Sequence, residues 1–236
     1  MLKRFSFAGM PSTEFGAYVT DAGVQDSPKK RFEQIKVKGR SGDLMIDLES
    51  YDNIVVEYPA VIPENFDTNF AALRAFLLSQ KGYQRIEDDF HPHEFRMGMF
   101  TDAIKPKVPS LKWEYGTFEL KFNCKPQRYL KNGEREIEFT ADGSVFNETL
   151  FPAKPLLRVY GTGIFGIGNE VVQITEAGEY TDIDCDSMEC FEGANNRNSK
   201  VNLLSGNFPE LHKGDNGVVL GDGITKIVIT PRWWTI

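Results

Sequence analysis

The stretch that decides the fold is Glu33-Gln34-Ile35-Lys36-Val37, followed by Gly39-Arg40-Ser41-Gly42 and then by Asp43-Leu44-Met45-Ile46-Asp47-Leu48. Apolar and polar residues alternate on both sides of the glycine-bearing turn, and a period of two is typical of β-strands. Glycine supplies the positive φ angles that tight turns require. The stretch therefore predicts a β-hairpin and places the chain among β-rich proteins.

The rest of the first half continues in short alternating segments. Further strands are predicted at residues 53–58, where Pro59 should end the strand, and at residues 95–104 and 113–124. The connection at residues 105–111 carries two prolines and two lysines, and it is predicted to be a surface loop or a projecting hairpin tip.

One amphipathic helix is predicted near residues 67–80. Phe70, Leu73, Phe76 and Leu77 recur at helical spacing, with Asp67 or Thr68 as the candidate cap and Gly82 after the end. A single apolar stripe indicates that the helix lies against a sheet.

The second half shows no helical period. Candidate strands separated by glycine, asparagine and aspartate turns favour a β-sandwich or jelly roll; they are residues 136–140, 156–160, 171–175, 180–184, 201–204, 217–220 and 226–230. Residues 125–133 break the pattern, which predicts two domains, 1–131 and 132–236.

Composition excludes several classes of protein. The 236 residues include 27 basic and 34 acidic side chains, a net charge of −7, and 41% are hydrophobic, which argues against intrinsic disorder. A pI near 5.1 argues against a duplex-DNA binder. No apolar run approaches the roughly 20 residues of a membrane span, and the first ten residues do not resemble a signal peptide. We therefore expect synthesis in the cytoplasm and no membrane partner.

The three cysteines, Cys124, Cys185 and Cys190, are too few for a disulfide framework, so buried free thiols are expected. Two adjacent tryptophans, Trp233 and Trp234, stand near the last residue, and at least one should be buried.

Three patterns resemble chemical motifs, but each fits a structural role better. Gly161-Thr162-Gly163-Ile164-Phe165-Gly166 has dinucleotide-loop spacing, yet it precedes a turn and a strand instead of a helix. His91 and His93 stand in an acidic loop without a second, separated ligand pair. Asp182, Asp184 and Asp186 lack the glycine and glutamate of a calcium loop, and they are interpreted as the solvated face of an edge strand. No catalytic, cofactor-binding or metal-binding residue is predicted, and the chain is expected not to be an enzyme.

Several segments in the same order resemble the distal tail proteins of bacteriophages with long, flexible, non-contractile tails. The resemblance covers essentially the whole chain. It depends on residues 35–44, the helix followed by Gly82-Tyr83, and residues 122–130, 146–149, 153–163, 183–186, 208–216 and 231–234. Glu148 stands where the family often has proline, and the chain is too short for the inserted module that some relatives carry.

The resemblance implies an N-terminal split-barrel-like β domain with one short helix, followed by a galectin-like β-sandwich. It also implies a homo-hexameric ring at the distal end of the tail, and two such rings can stack back to back. The ring would join the tail tube protein to the tail-associated, tape-measure-linked protein and would carry receptor-binding or adsorption proteins. No cofactor is implied.

Three expectations follow for a ring of this kind. The strands around residues 105–111 could extend to the next subunit or face the tube. DNA would pass through the channel as cargo, and acidic walls would repel its phosphates.

The alternative function is a carbohydrate-binding module for a host-surface glycan, although Trp113, Trp233 and Trp234 are the only tryptophans available as sugar platforms.

Overall fold

A computed structural model describes residues 2–108 and 114–236, and it confirms a mainly β protein with multiple antiparallel sheets. The chain forms two compact units. The first ends at Arg128 and also includes Ile236, and the second spans Tyr129–Thr235. The sequence placed its domain boundary three residues later, after residue 131.

The first unit contains ten strands wholly within the part of the chain that the structure describes. They are β1 (Phe5–Phe7), β2 (Met10–Pro11), β3 (Tyr18–Val19), β4 (Val24–Gln25), β5 (Lys30–Ile35), β6 (Leu44–Tyr51), β7 (Ile54–Ile62), β8 (Gln84–Asp88), β9 (Glu94–Phe100) and β10 (Gly116–Cys124). The next strand, β11 (Arg128–Leu130), begins at the last residue of this unit.

The main sheet of the first unit closes on itself. Its strands follow the order β2-β1-β8-β9-β10-β7-β3, with β4 also paired to β7. Lys3 and Val19 exchange backbone hydrogen bonds of 3.0 and 2.8 Å, and this bridge joins the two ends of the sheet. The result matches the split-barrel-like domain expected from the sequence. Strand β7 runs through Pro59, so the prediction that Pro59 ends it was wrong; the Pro59 carbonyl accepts a hydrogen bond from the Thr20 N–H at 2.9 Å.

The predicted helix is α1 (Phe66–Ser79), the one α-helix among the described residues. Its buried positions are Phe66, Phe70, Leu73 and Leu77, which join the aromatic core formed by residues such as Phe5 and Phe122. Asn65 precedes the first turn, instead of the predicted caps Asp67 or Thr68, and the helix ends before Gln80. The apolar stripe thus predicted the position of the helix correctly, whereas its N-cap lies two or three residues before the predicted candidates.

The second unit is a sandwich of two antiparallel sheets. The strands of these sheets are β12 (Ile137–Phe139), β13 (Gly143–Asn147), β14 (Leu156–Gly161), β15 (Gly163–Ile167), β16 (Glu170–Ile174), β17 (Thr181–Asp184), β18 (Glu189–Glu192), β19 (Asn195–Asn196), β20 (Val201–Leu203), β21 (Gly214–Leu220) and β22 (Ile224–Thr230). One sheet has the order β12-β22-β14-β17-β18-β19 and the other β13-β21-β15-β16-β20. A further short strand, β23 (Trp234–Thr235), pairs with β11 and lies in neither sheet. Short 3-10 turns lie at Ser12–Phe15, Lys131–Glu134 and Asn198–Lys200.

Inward-facing apolar residues from both sheets form the core of the sandwich, as alternation predicts. Examples are Leu157 and Ile229 from one sheet and Phe165 and Val218 from the other. Trp233 packs against this core and is 8% exposed, which confirms that at least one of the terminal tryptophans is buried. Trp234 stacks on Phe151 with ring centroids 4.5 Å apart. Among the helices of residues 2–108 and 114–236, none is long and apolar enough to cross a membrane.

Candidate assembly surface

The predicted hairpin is confirmed as β5 and β6, and it stands apart from the rest of its unit. In the described part of the chain these two strands form a separate sheet, and each pairs only with the other. Gly39 and Gly42, with φ of 81° and 83°, lie in the turn that joins them. Both outer edges of the hairpin therefore carry backbone groups without a strand partner, and such edges readily pair with another chain.

One face of the hairpin is apolar. Ile35 lies opposite Leu44 and Glu33 lies opposite Ile46, so these four side chains share a face. We call the aliphatic residues at alternating positions on this side the apolar face: they are Ile35 (37% exposed), Val37 (43%), Leu44 (39%), Ile46 (40%) and Leu48 (46%). A contiguous exposed set of this kind on a soluble protein marks an interaction site.

The opposite face, which we call the polar face, is held together by polar contacts, although it also carries the exposed side chains of Phe32 and Met45. The Lys30 ammonium pairs with Asp47, and the Gln34 amide donates a hydrogen bond to Asp43. The hydrogen bond with Asp47 raises the pKa of Lys30, and the same contact lowers the pKa of Asp47. These contacts tie β5 to β6 from the polar side, which leaves the apolar face available to a partner.

The turn of the hairpin is cationic. Lys36, Lys38 and Arg40 are exposed and form no ion pair with another described residue. Residues 29–52 hold six basic and five acidic side chains, a net charge of 6 − 5 = +1, so the remaining chain carries −7 − 1 = −8. We call Lys36, Lys38 and Arg40 the cationic tip.

The connection at residues 105–111 was predicted to be a surface loop or a projecting hairpin tip, and its described part, residues 105–108, lies along the first unit. Lys107 exchanges backbone hydrogen bonds of 2.8 and 3.0 Å with Thr117 of β10. Ile104 and Val108 pack against the core of the first unit. Residues 105–108 therefore lie along the sheet, held by this backbone pairing and by the partly buried Ile104 and Val108. Residues 109–111 lie outside the described residues, as does Trp113.

The histidine loop has a structural role in the first unit. Asp88 accepts hydrogen bonds of 2.8 Å from the backbone N–H groups of Phe90 and His91. The Tyr58 hydroxyl donates to the other Asp88 oxygen at 2.7 Å, and His91 Nδ1 lies 3.0 Å from the carboxylate. Burial is the main reason that the pKa of Tyr58 is raised. Asp88 thus organises the β8–β9 turn, and His91 is one of its partners.

The alternating aspartates do not lie on a solvated edge strand, so that interpretation was wrong. Strand β17 is an interior strand between β14 and β18. Asp182 is 3% exposed and accepts two hydrogen bonds from Arg158, at 2.7 and 2.8 Å. Asp184 accepts two from Arg232, at 2.7 and 2.9 Å. Arginine side chains cover these carboxylates, because a bidentate guanidinium satisfies both oxygens at once.

The ion pair between Asp184 and Arg232 shifts the pKa of both groups. Burial alone would raise its pKa, but the hydrogen bonds and charge of Arg232 outweigh burial and hold the pKa below its ordinary value of 3.8. The pKa of Arg232 is raised for the same reason. This ion pair fastens the residues before β23 to the sandwich.

The three cysteines are free and buried, as expected. Burial raises the pKa of Cys124 to about 12 and that of Cys190 to about 11, and it raises the pKa of Cys185 further. Thiols in this state are poor nucleophiles. Among the described residues, no group of three or more histidine, cysteine, aspartate or glutamate side chains is arranged to hold a metal ion.

The glycine pattern that resembled a dinucleotide loop joins two strands. Gly161 ends β14, and Gly163 to Gly166 belong to β15, where the sequence had suggested a turn. A Cβ at Gly161 would lie 2.1 Å from the Gly223 carbonyl oxygen, and one at Gly163 would lie 2.1 Å from the Asp222 carbonyl oxygen. These glycines permit a close backbone approach between strands.

These features define a two-unit β protein with one α-helix in its described residues and a projecting amphipathic hairpin. The same fold occurs in the SPP1 Dit (gp 19.1) protein, described as a paradigm of the hub adsorption apparatus in phages that infect Gram-positive bacteria. The TM-score is 0.73, and the match covers 97% of this chain and 98% of the other, at 13% sequence identity. No protein-family model and no curated protein sequence matches. The resemblance predicted from the sequence is thus confirmed at the level of the fold.

Proposed function

We propose that this chain is a structural subunit of a phage tail tip, where it assembles through the β5–β6 hairpin into a ring-shaped hub. The observation that carries the proposal is the exposed apolar face of that hairpin. A two-stranded hairpin alone is at best marginally stable in water, so a partner that covers one face adds stability to it. Each of the five side chains still has surface to bury, which contributes on the order of 1 kcal/mol apiece.

The partner that fits the hairpin is a second copy of the same chain. The cationic tip carries three basic side chains without ionic partners, while the chain outside residues 29–52 has a net charge of −8. A hairpin that contacts a different surface on its neighbour forms a heterologous interface, and such an interface gives a ring when the rotation closes. Charge complementarity thus favours head-to-tail association of identical subunits.

The fold supports the finer features of this role. Because the fold is that of a hub adsorption protein and the sequence resembles distal tail proteins, we propose that the ring is a hexamer at the distal end of the tail, as that resemblance implies, with back-to-back double rings as a further state. It joins the tail tube protein to the tail-associated protein and carries adsorption proteins. DNA passes through the channel, and an acidic channel wall remains a prediction of the net charge. The role is mechanical, with no catalytic step.

Electron microscopy of the purified full-length protein tests this proposal. Rings with a central channel, together with a matching mass by light scattering, are the expected result. A protein that stays monomeric at the concentrations used for microscopy would contradict the proposal. The same chain with serine at positions 44 and 46 is the matched comparison, because it keeps the fold of the body and loses part of the apolar face.

A further inference from the structure

The edge of β10 that faces β9 is incompletely paired. Strand β9 leaves β10 after the pair Phe100–Phe122, and the chain returns to the same edge where Lys107 forms a bridge with Thr117. Between these two anchor points the connection has six residues and β10 has only four, residues 118–121, so the connection bulges away from the strand. In the described part of the chain, no strand or bridge pairs with these four residues on this side.

Backbone groups of β10 point into the space that the bulge leaves. Thr117 exchanges backbone hydrogen bonds of 2.8 and 3.0 Å with Lys107. Successive residues of a strand direct their backbone groups to opposite edges, so Glu119 and Lys121 point the same way as Thr117. Within residues 2–108 and 114–236, no backbone hydrogen bond joins either of them to the bulged connection. Such an edge accepts an extended segment as an added strand.

This edge opens into a cavity of about 640 Å³ with an excess of positive charge. Its charged lining residues are Asp102, Lys105, Lys107, Glu119 and Lys121, with a formal charge of 3 − 2 = +1. Lys121 contacts Glu57 at 2.5 Å and Glu119 at 3.3 Å, whereas Lys105 and Lys107 are exposed and form no ion pair with another described residue. We call residues 118–121 together with Lys105 and Lys107 the β10 gap, and its charge favours an acidic segment.

The two strands of the β5–β6 hairpin carry opposite charges. Residues 43–51, which include β6, hold three acidic and no basic side chains, a net charge of −3. Residues 29–38, which include β5, hold five basic side chains and one acidic side chain, a net charge of 5 − 1 = +4. The outer edge of β6 has no strand partner among the described residues. Strand β6 therefore offers what the β10 gap lacks, an extended backbone and negative charge.

We propose that β6 of a second copy of this chain adds to β10 as a strand in the β10 gap, with its acidic side chains beside Lys105 and Lys107. This inference rests on the proposed function, because it names the surface of the neighbouring copy that receives the hairpin. The edge of β5 fits less well, since its positive charge repels these lysines. Pro59 and Ala103 line the same cavity and offer apolar surface to the hairpin. The contact joins different surfaces of two copies, as a head-to-tail ring requires.

Charge reversal in the β10 gap tests the inference. Lys105→Glu with Lys107→Glu should lower the association constant at least about tenfold, and the fold should persist because both side chains are exposed. Light scattering after size-exclusion chromatography measures the mass. Arg74→Glu with Lys81→Glu, at exposed positions of the same unit, is the control with the same change in net charge, and it should assemble like the unchanged protein.

The outcomes separate this inference from the proposed function. Normal assembly of the variant with Lys105→Glu and Lys107→Glu would overturn the inference and leave the hairpin-mediated ring in place. An unchanged protein that is monomeric would overturn both.

A mixture of two variants identifies the contact directly. The variant with Lys105→Glu and Lys107→Glu keeps an intact hairpin, and the variant with Leu44→Ser and Ile46→Ser keeps an intact β10 gap. At a concentration where each alone is monomeric, the mixture should form one-to-one dimers, because only one productive contact remains. A mixture that stays monomeric would overturn the inference.

Rescue by a second charge reversal tests which strand enters the gap. Adding Asp43→Lys and Glu49→Lys to the variant with Lys105→Glu and Lys107→Glu should restore assembly, since attraction returns with the signs exchanged. Failure to restore assembly would show that β6 does not lie beside these lysines and would overturn the inference.

Discussion

Ile35 and Leu44 lie opposite each other in the β5–β6 hairpin, and both side chains are exposed on the same face. Neither strand pairs with any other strand in the described part of the chain. Water-exposed aliphatic pairs on an isolated hairpin are typical of an interaction surface.

Replacing two residues of the apolar face should block self-association without unfolding the protein. For Leu44→Ser with Ile46→Ser we expect the association constant to fall at least about tenfold, since two buried aliphatic contacts are removed. The free energy of unfolding should change little, because both side chains are exposed in the free chain. Light scattering after size-exclusion chromatography measures the mass. Met45→Ser, on the polar face, is the control, and equal loss of assembly in both variants would contradict a face-specific contact.

Reversing the charge of the tip should weaken assembly in a salt-dependent manner. Lys36→Glu with Lys38→Glu removes the attraction between the cationic tip and an acidic neighbour. Added salt should weaken the self-association of the unchanged protein, because it screens the same contact. Sedimentation at low and high ionic strength measures both effects. Lys213→Glu, at an exposed site of the second unit, should leave the salt dependence unchanged. If the variant with Lys36→Glu and Lys38→Glu assembles normally at low salt, the cationic tip does not contribute to association through its charge.

Breaking the Asp184–Arg232 ion pair should destabilise the second unit in a pH-dependent manner. Asp184→Asn should lower the free energy of unfolding at neutral pH by about 1–3 kcal/mol, the range for hydrogen bonds to charged groups. The folded-state pKa of Asp184 is depressed, so its stabilisation is present above the unfolded value and is lost as pH falls through the folded value.

The difference between the unchanged protein and Asp184→Asn should therefore shrink as pH falls below 3.8. Urea unfolding followed by tryptophan fluorescence, which includes that of the buried Trp233, measures this difference in the free energy of unfolding. Glu148→Gln is the control, and its difference from the unchanged protein should not depend on pH in this way. A difference that stays constant from pH 7 to pH 3 would show that Asp184 acts through packing alone.

The three thiols should be unreactive in the folded protein. All are buried, and burial raises the pKa of each, so the thiolate is scarce at neutral pH. A disulfide exchange reagent such as dithionitrobenzoate should label them slowly in native buffer and all three at once in guanidinium. Rapid labelling of one thiol in native buffer would reveal local opening around that cysteine.

Local patterns in the sequence predicted much of the fold. The glycine turn at Gly39 and Gly42 and the alternation around it located the hairpin, and the stripe of Phe70, Leu73 and Leu77 located the helix. Periodicity succeeds here because it reports which face of an element is buried.

Features set by distant partners were missed. Asp182 and Asp184 look solvated in the sequence, and only their pairing with Arg158 and Arg232 across the fold shows that they are covered.

The sequence analysis placed its candidate arm at residues 105–111, whereas the surface that we propose for assembly is the β5–β6 hairpin, whose signal was also present in the sequence. Ile35 and Val37 alternate toward the turn, and Leu44, Ile46 and Leu48 alternate away from it, so the amphipathic pattern was visible. What the sequence could not show is that nothing else in the described part of the first unit pairs with this hairpin. Residues 105–108, chosen instead for their prolines and lysines, are held against β10 through Lys107 and Thr117.

The central claim is that another copy of the chain covers the β5–β6 hairpin, and hydrogen exchange tests it most directly. Exchange of the backbone amides of β5 and β6 is compared between the unchanged protein and Leu44→Ser with Ile46→Ser at the same concentration. The account predicts slow exchange in the unchanged protein, including amides on the outer edges, and fast exchange in the variant. Equally fast exchange in both, in a sample whose mass shows it to be assembled, would contradict the claim.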